Sequence, residues 1–160
     1  MTPQDYIREL IDRLAADGGD PKWDTTGAPF LIGHRSDVRA LSKMHLFTIA
    51  AVVPEISLAG LEQFTEFALD TALRRKKGLP RGLQSGVAVF PALISDRVEP
   101  AAAQRAAVWQ RTRFACIGRP TVVDTAARKV SAYRGSPFAG LVYASYLRKK
   151  NTQYFPDPRP

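Results

Sequence analysis

The sequence predicts an α/β protein in which helices pack on a mixed β-sheet. Helical and strand patterns follow one another along the 160 residues in the order α-β-β-α-β-α-β-β-β-α, which predicts about five or six strands. Apolar residues make up 45% and charged residues 24% of the chain, as in ordinary globular domains. We therefore assign residues 1–150 to a single α/β domain and residues 151–160 (NTQYFPDPRP) to a proline-rich C-terminal tail.

The first third of the chain predicts one helix and two strands. Thr2 is a suitable N-cap, Pro3 suits the first helical position, and the apolar stripe that follows stops at Gly18-Gly19. DPKWDTTG reads as a turn-rich connection to two strands, APFLIGHR and KMHLFTIAAVV. The second strand is almost unbrokenly apolar, which indicates a central strand that is buried on both faces.

The rest of the chain alternates helices and strands. Ser57 can cap the helix SLAGLEQFTEFALDTALRRKK, and SGVAVFPALIS is the next strand, in which Pro91 predicts a bulge or an unpaired position. A helix from Pro100 to roughly Arg111 precedes three strands, RFACI, PTVVDT and KVSAYR. The final helix is predicted to begin at Ser136-Pro137 and to run through FAGLVYASYLRKK.

The charge of the chain is strongly asymmetric. Its net charge is +8, yet residues 1–73 carry 6 basic and 11 acidic side chains, whereas residues 74–160 carry 17 basic and 4 acidic ones. Such a distribution favours a basic surface that faces an anionic partner, either nucleic acid or an acidic protein surface.

Other bulk features predict a cytoplasmic protein without membrane contact. The most apolar stretch, Leu46–Val53, is far shorter than the ~20 residues of a membrane-spanning helix. The first residues, MTPQDYIREL, have no apolar signal core. Cys116 is the single cysteine and lies in an apolar strand pattern, so we expect it to be buried packing.

The stretch Arg74–Asp96 (RRKKGLPRGLQSGVAVFPALISD) is the strongest candidate for a binding role. Its glycines follow a helix and precede a strand, which is the reverse of a nucleotide-binding P-loop. Basic side chains and backbone amides can still form an anion site. The alternative is that the basic residues complement the helix dipole and the glycines permit a turn. The anion-binding candidates are Arg74, Arg75, Lys76, Lys77, Arg81, Gln84 and Ser85.

Two further basic clusters follow, at 111–113 and 148–150, and each ends a predicted helix. If the three basic helix ends point the same way, they meet on one edge of the sheet and form a continuous basic rim. A chain with such a rim is a binding module for an anionic macromolecule.

The opposite edge of the sheet offers an enzymatic alternative. Glu55, Asp96 and Asp124 follow predicted strands and would converge there, as in Mg²⁺-dependent hydrolysis of phosphodiesters. Helix capping and turn formation are the competing roles for these residues. His34 and His45 lack metal-ligand spacing, although His34 could serve as an acid/base group. We therefore assign no catalytic residue, no metal site and no cofactor, and lean against enzymatic activity.

Two stretches carry a resemblance to a known family. Lys76–Asp96 and Arg113–Leu147 resemble a family of small prokaryotic α/β proteins with no known activity, whose K-G-L-P-R-G-L-Q motif is matched from Lys77 to Gln84. The chain departs from that family before its last helix, where Phe138-Ala139 stands near the position of a tryptophan. The resemblance implies a single α/β domain and transfers no site residue.

The leading prediction is a module that binds an anionic macromolecule, with nucleic acid favoured over an acidic protein. The first alternative is a metal-dependent enzyme that acts on a phosphorylated or nucleic-acid substrate. The second is a structural or adaptor subunit of a larger assembly or homo-oligomer, which requires an exposed apolar patch.

Overall fold

The computed structural model describes residues 1–39, 42–77, 85–113, 116–135 and 141–160. The helices in these residues are α1 (Pro3–Ala16), α2 (Leu58–Lys77), α3 (Pro100–Val108) and α4 (Leu141–Tyr154). The strands are β1 (Lys22–Asp24), β2 (Phe30–Arg39), β3 (Ser42–Val52), β4 (Ser85–Ser95), β5 (Arg111–Arg113), β6 (Cys116–Gly118), β7 (Thr121–Asp124) and β8 (Lys129–Ala132).

The eight strands form one mixed, open sheet. Its order is β1-β2-β3-β4-β6-β5, with β7 beside β4 and β8 beside β7. The long strands β3 and β4 are parallel, and β4 pairs in parallel with β6 along its first half and with β7 along its second half. β1, β2 and β3 form an antiparallel meander. We call the edge where β3 and β4 begin the amino edge and the opposite edge the carboxyl edge.

Helices cover both faces of the sheet. Two buried clusters hold the layers together: α1 and α4 pack on one face, and α2 and α3 pack on the other. The side chains of β3 alternate between them, since Met44 and Leu46 face α1 and α4 whereas Phe47 and Ile49 face α2 and α3. The prediction that this strand is buried on both faces is confirmed.

The predicted starts of α1 and α2 are confirmed by their capping bonds, and that of α3 by Pro100 in its first turn, whereas the predicted start of the last helix at Ser136-Pro137 lies outside the described residues. Thr2 and Asp5 form a reciprocal capping box at α1, with Pro3 in the first turn. At α2 the Ser57 hydroxyl accepts a hydrogen bond from the Gly60 amide at 3.0 Å. The starts of α1 and α2 are determined by residues a few positions apart in the chain, which is why the sequence predicts them.

The effect of Pro91 falls on the neighbouring strand. β4 itself continues through Pro91, but its ladder to the next strand stops after Gly118 and resumes at Thr121. Pro120 lies in this gap, and neither proline has an amide hydrogen to donate. The break separates β6 from β7. Pro91 is therefore unpaired on this side of β4, as predicted, while it still pairs with Ile49 of β3 on the other side.

The predicted strand count and order are wrong in two places. DPKWDTTG is a hairpin, in which Trp23 pairs with Leu31 and the Asp24 carboxylate accepts a bond from the Thr26 amide at 3.1 Å. The helix predicted to reach Arg111 ends at Val108, because Arg111 pairs with Gly118 in a β5–β6 hairpin. The observed order is α-β-β-β-α-β-α-β-β-β-β-α.

The last helix extends beyond its predicted end. α4 continues from Leu141 to Tyr154, so it includes four residues that the sequence assigned to the proline-rich tail. Tyr154 and Phe155 are fully buried, and both pack against Phe90 of β4. In the described part of the chain, no helix is long and apolar enough to cross a membrane.

Candidate anion-binding site

The predicted anion-binding residues that the structure describes lie at the amino edge of the sheet. α2 leads from the end of β3 to the start of β4, so its last turn reaches this edge. Arg74 and Arg75 are exposed there and Lys76 is half-buried. Lys77 and Ser85 contribute backbone to α2 and β4, while their side chains, together with Arg81 and Gln84, lie outside the described residues.

Two of the arginines of this helix end have partners within the protein. Arg75 Nη2 lies 2.8 Å from Asp24 Oδ2 on β1, in an ion pair whose arginine is half-exposed. Arg74 Nη2 donates to Thr71 Oγ1 at 3.3 Å within α2. Exposed pairs of this kind contribute little to stability, so either side chain can turn to a ligand at small cost.

A pair of histidines lies beside this helix end. His34 of β2 and His45 of β3 are stacked, and their Nε2 and Nδ1 atoms are 3.0 Å apart, within hydrogen-bond distance. His45 is buried, whereas His34 is half-buried and packs on the ring of Phe47 at 4.6 Å. One ring must donate and the other must accept, so the pair in this geometry carries at most one extra proton.

A cavity of about 250 Å³ opens beside His34, and we call it the histidine pocket. It is lined by Asp20, Lys22, Ile32, His34, Phe47 and Arg75. Lys22 forms only a surface ion pair, since its ammonium lies 3.1 Å from the Asp20 carboxylate and both of these side chains are more than two-thirds exposed. The pocket thus combines a guanidinium, an ammonium and an imidazole with one apolar wall.

The electrostatics at the pocket favour negative charge. Burial lowers the pKa of His45 to about 4, and His34, Lys43 and Lys76 lower it further. Burial and Lys43 also lower the pKa of His34, against an opposing effect of Asp20. The imidazoles are therefore neutral at pH 7. Lysines that disfavour an imidazolium would stabilise an anion at the same place.

The predicted basic rim of three helix ends is wrong in its second cluster. Arg111 and Arg113 lie on β5, and both bond to Glu66 of α2, with Nε of Arg111 2.6 Å from the carboxylate. Arg113 also bonds to Asp70. The α2 carboxylates of Glu66 and Asp70 thus neutralise these arginines.

The third cluster lies away from the amino edge, because α4 runs in the opposite direction to α2. The hydroxyls of Tyr143 and Ser42 bond near the amino edge, whereas Asn151 Nδ2 donates to Thr121 Oγ1 at 3.0 Å in the carboxyl half of the sheet. The basic end of α4 therefore points away from the end of α2. Its Lys150 is buried, with Nζ 2.7 and 2.9 Å from the two carboxylate oxygens of Asp17.

The carboxylates proposed for Mg²⁺ have other partners. Glu55 lies 3.5 Å from Arg97 Nη2, and Asp124 Oδ1 accepts a bond from the Ala127 amide at 2.8 Å in the β7–β8 turn. Asp96 is exposed beside Pro54. Among the described residues, no group of three or more His, Cys, Asp or Glu is placed to hold a metal ion. Glu55 therefore acts in an ion pair and Asp124 in a turn.

A second cavity, of about 570 Å³, lies at the carboxyl end of β3 and is mainly apolar. Phe64 and Phe67 of α2 line it together with Phe30, and Phe67 is 39% exposed. This groove is the feature that the assembly-subunit hypothesis requires, although nothing in the structure identifies an occupant.

The sequence reasoning missed the histidine pair, although a signal was present. A close hairpin that pairs Arg39 with Ser42 places His34 opposite Phe47 and diagonal to His45. Both histidines then face α2 on the same side of the sheet. Because Ser36, Asp37 and Arg39 resemble loop residues, the two strands were predicted too short to show this register.

Comparisons with known proteins add no relative. No family model matches the chain, and no match is found among curated proteins or among solved structures. The resemblance to the K-G-L-P-R-G-L-Q proteins therefore stays a prediction.

Proposed function

We propose that this protein binds nucleic acid through the phosphate backbone, and that the histidine pocket with the end of α2 forms the binding site. One observation carries the proposal: Lys43 lowers the pKa of His34 and, with Lys76, that of its partner His45, and His34 lines a pocket that already holds Arg75 and Lys22. Positive charge from three different elements thus converges on one cavity at the amino edge.

The chemistry of the pocket suits a phosphodiester. Arg75 can offer two parallel donors to phosphate oxygens, and Lys22 adds a point charge. His34 can donate a third hydrogen bond when its ring is protonated, and Phe47 and Ile32 give a sugar or base an apolar surface. Because a bound anion stabilises the imidazolium, phosphate should raise the pKa of His34, and binding should strengthen as the pH falls toward 6.

The proposal is tested by fluorescence anisotropy with labelled single-stranded RNA, single-stranded DNA and duplex DNA. A site that contacts three phosphates of a duplex would lose about 40-fold in affinity between 50 and 200 mM salt. The test variant is Arg74→Glu with Lys76→Glu. The matched control is Arg128→Glu with Lys129→Glu, which makes the same change in net charge in the exposed β7–β8 turn.

We expect the test variant to bind at least 10-fold more weakly than the wild type, and the control to change less than 3-fold. An equal loss in both variants would show that only net charge matters and would remove the site. Undetectable binding of all three probes at 50 mM salt would remove nucleic acid as the partner. Acidic proteins would then become the leading candidates.

A further inference from the structure

Arg119 is the largest side chain that is fully buried in the described residues, with 1% of its surface exposed. It lies in the break between β6 and β7, where its backbone amide donates to the Val89 carbonyl at 2.9 Å. A guanidinium keeps its proton at neutral pH even when burial lowers the pKa of Arg119, as it does here. A full positive charge is therefore held inside the protein.

The partners of this charge are neutral. Arg119 Nε donates to Gln110 Oε1 at 2.9 Å, and the guanidinium lies 5.3 Å from the centre of the Tyr133 ring. Nη1 is buried and has no hydrogen-bond partner among the described residues. The nearby charge of Arg148 on α4 is also positive and further lowers the pKa of Arg119.

Other buried or half-buried cations of the protein are paired differently. Lys150 bonds to both carboxylate oxygens of Asp17, and Arg35 lies 2.8 Å from the carboxylates of Asp17 and Asp37. Among the described residues, no ion pair joins Arg119 to a carboxylate, although its side chain is more deeply buried than theirs. A buried cation without a counter-ion is strongly unfavourable, so its retention calls for an anion.

We propose that Arg119 anchors a second anion site, separate from the histidine pocket, that takes a phosphate group. Two positive charges, Arg119 and Arg148, favour a dianion over a carboxylate, and the unpaired Nη1 supplies a donor for it. The phosphate is either inorganic or the terminal group of a small metabolite.

Access to the site requires only side-chain movement. Gln110 and Tyr133, which contact the guanidinium, are both partly exposed, so Arg119 lies one layer of side chains below the surface. The Tyr133 ring packs against Gly135, where an added Cβ would lie 2.9 Å from its outer atoms. A rotation of this ring would uncover the guanidinium, and the same ring could then pack on the bound ligand.

The site is tested by thermal unfolding in inorganic phosphate, AMP, acetate or chloride at matched ionic strength. For the wild type, phosphate at ten times its Kd should raise Tm by about 3 to 6 °C above chloride. A larger effect of AMP at equal concentration would assign the site to a phosphorylated metabolite, and an equal or smaller one to inorganic phosphate. A Tm that is the same in phosphate, AMP and chloride would overturn the proposal.

Two variants make the test specific to Arg119. Gln110→Glu places a carboxylate where Arg119 Nε already donates, so it should raise Tm in chloride and abolish the response to phosphate. Arg119→Met should abolish the response without lowering Tm in chloride, because it removes the uncompensated charge. A full phosphate response in either variant would contradict the proposal, as would a fall in Tm of Gln110→Glu in chloride.

A third variant separates this proposal from the nucleic-acid site. Arg74→Glu with Lys76→Glu changes the end of α2 on the other face of the sheet and should keep the full phosphate response. If that response is lost while the response of Arg119→Met is kept, phosphate binds at the histidine pocket and the Arg119 site is wrong.

Discussion

The buried histidine of the pair should make the stability of the protein depend on pH between 7 and 5. His45 has its pKa lowered from 6.5 to about 4, chiefly by burial and then by His34, Lys43 and Lys76. In the unfolded chain the same ring takes up a proton near pH 6.5. Between these two pKa values the unfolded state binds more protons than the folded state. The free energy of unfolding is therefore at its maximum above about pH 6.5 and falls as the pH falls below that value.

The size of the effect follows from the two pKa values. A group that titrates at 6.5 when unfolded and at about 4 when folded lowers the free energy of unfolding by about 2 kcal/mol between pH 7 and pH 5. The full effect, about 3 kcal/mol, is reached near pH 4. The carboxylates with lowered pKa values, such as Asp17 at about 2, titrate below this window and do not obscure it.

The assay is urea unfolding followed by circular dichroism at half-unit steps from pH 7.5 to pH 5. We compare the wild type with His45→Asn, which keeps a polar group near the position of Nδ1 and cannot be protonated. The wild type should lose at least about 2 kcal/mol over this range, since the lowered pKa of His34 acts in the same direction, and the variant should lose clearly less. Parallel curves for the two proteins would refute the assignment of the lowered pKa to His45.

Three further predictions concern the packing. Burial raises the pKa of the Cys116 thiol to about 11, so an aromatic disulfide reagent at pH 8 should leave the native protein unmodified and react fully in urea; rapid reaction of the native protein would contradict this. Gly118→Ala should lower the free energy of unfolding in urea by about 1–3 kcal/mol, because the new Cβ would lie 2.5 Å from Leu69 Cδ1, and an unchanged midpoint would show that Leu69 yields freely. Asp17→Asn should cost about 3 kcal/mol in the same assay, because it removes the carboxylate that neutralises the buried Lys150, and a cost below about 1 kcal/mol would contradict this role.

The features that the sequence predicted depend on near neighbours. The cap of α1 needs only Thr2 and Asp5, and the burial of β3 follows from its own apolar residues. Cys116 was expected in the core for the same reason and is 1% exposed. Periodicity and capping are readable from a sequence because the interacting residues are a few positions apart.

The features that it missed depend on distant pairings. Arg111 lies in a strand and not in a helix because it pairs with Gly118 in the β5–β6 hairpin. The helix propensity of the residues around Arg111 contains no information about this distant partner. The direction of α4 is fixed by contacts such as Tyr143 with Ser42, which are 101 residues apart. The candidate site has the same character, since His34 and His45 meet only through the register of β2 on β3.

The distribution of ion pairs narrows where a ligand can bind. The charge asymmetry of the sequence predicts one broad basic surface, but the acidic first half folds against the basic second half. Among the described residues, the ion pairs that join the two halves are Glu9–Arg159, Asp17–Lys150, Asp24–Arg75, Glu55–Arg97, Glu62–Arg105, Glu66–Arg111, Glu66–Arg113 and Asp70–Arg113.

Positive charge still exceeds negative charge at the histidine pocket and at Arg119, which lie on opposite faces of the sheet. At the histidine pocket the excess is partly exposed and spread over several side chains, which suits an extended and variable polyanion. At Arg119 the guanidinium is buried, with Arg148 as a second positive charge nearby, and its donors are fixed, which suits a small anion that is held in one orientation. The two sites should therefore differ in salt dependence: raising the salt concentration from 50 to 200 mM should weaken oligonucleotide binding far more than phosphate binding at Arg119.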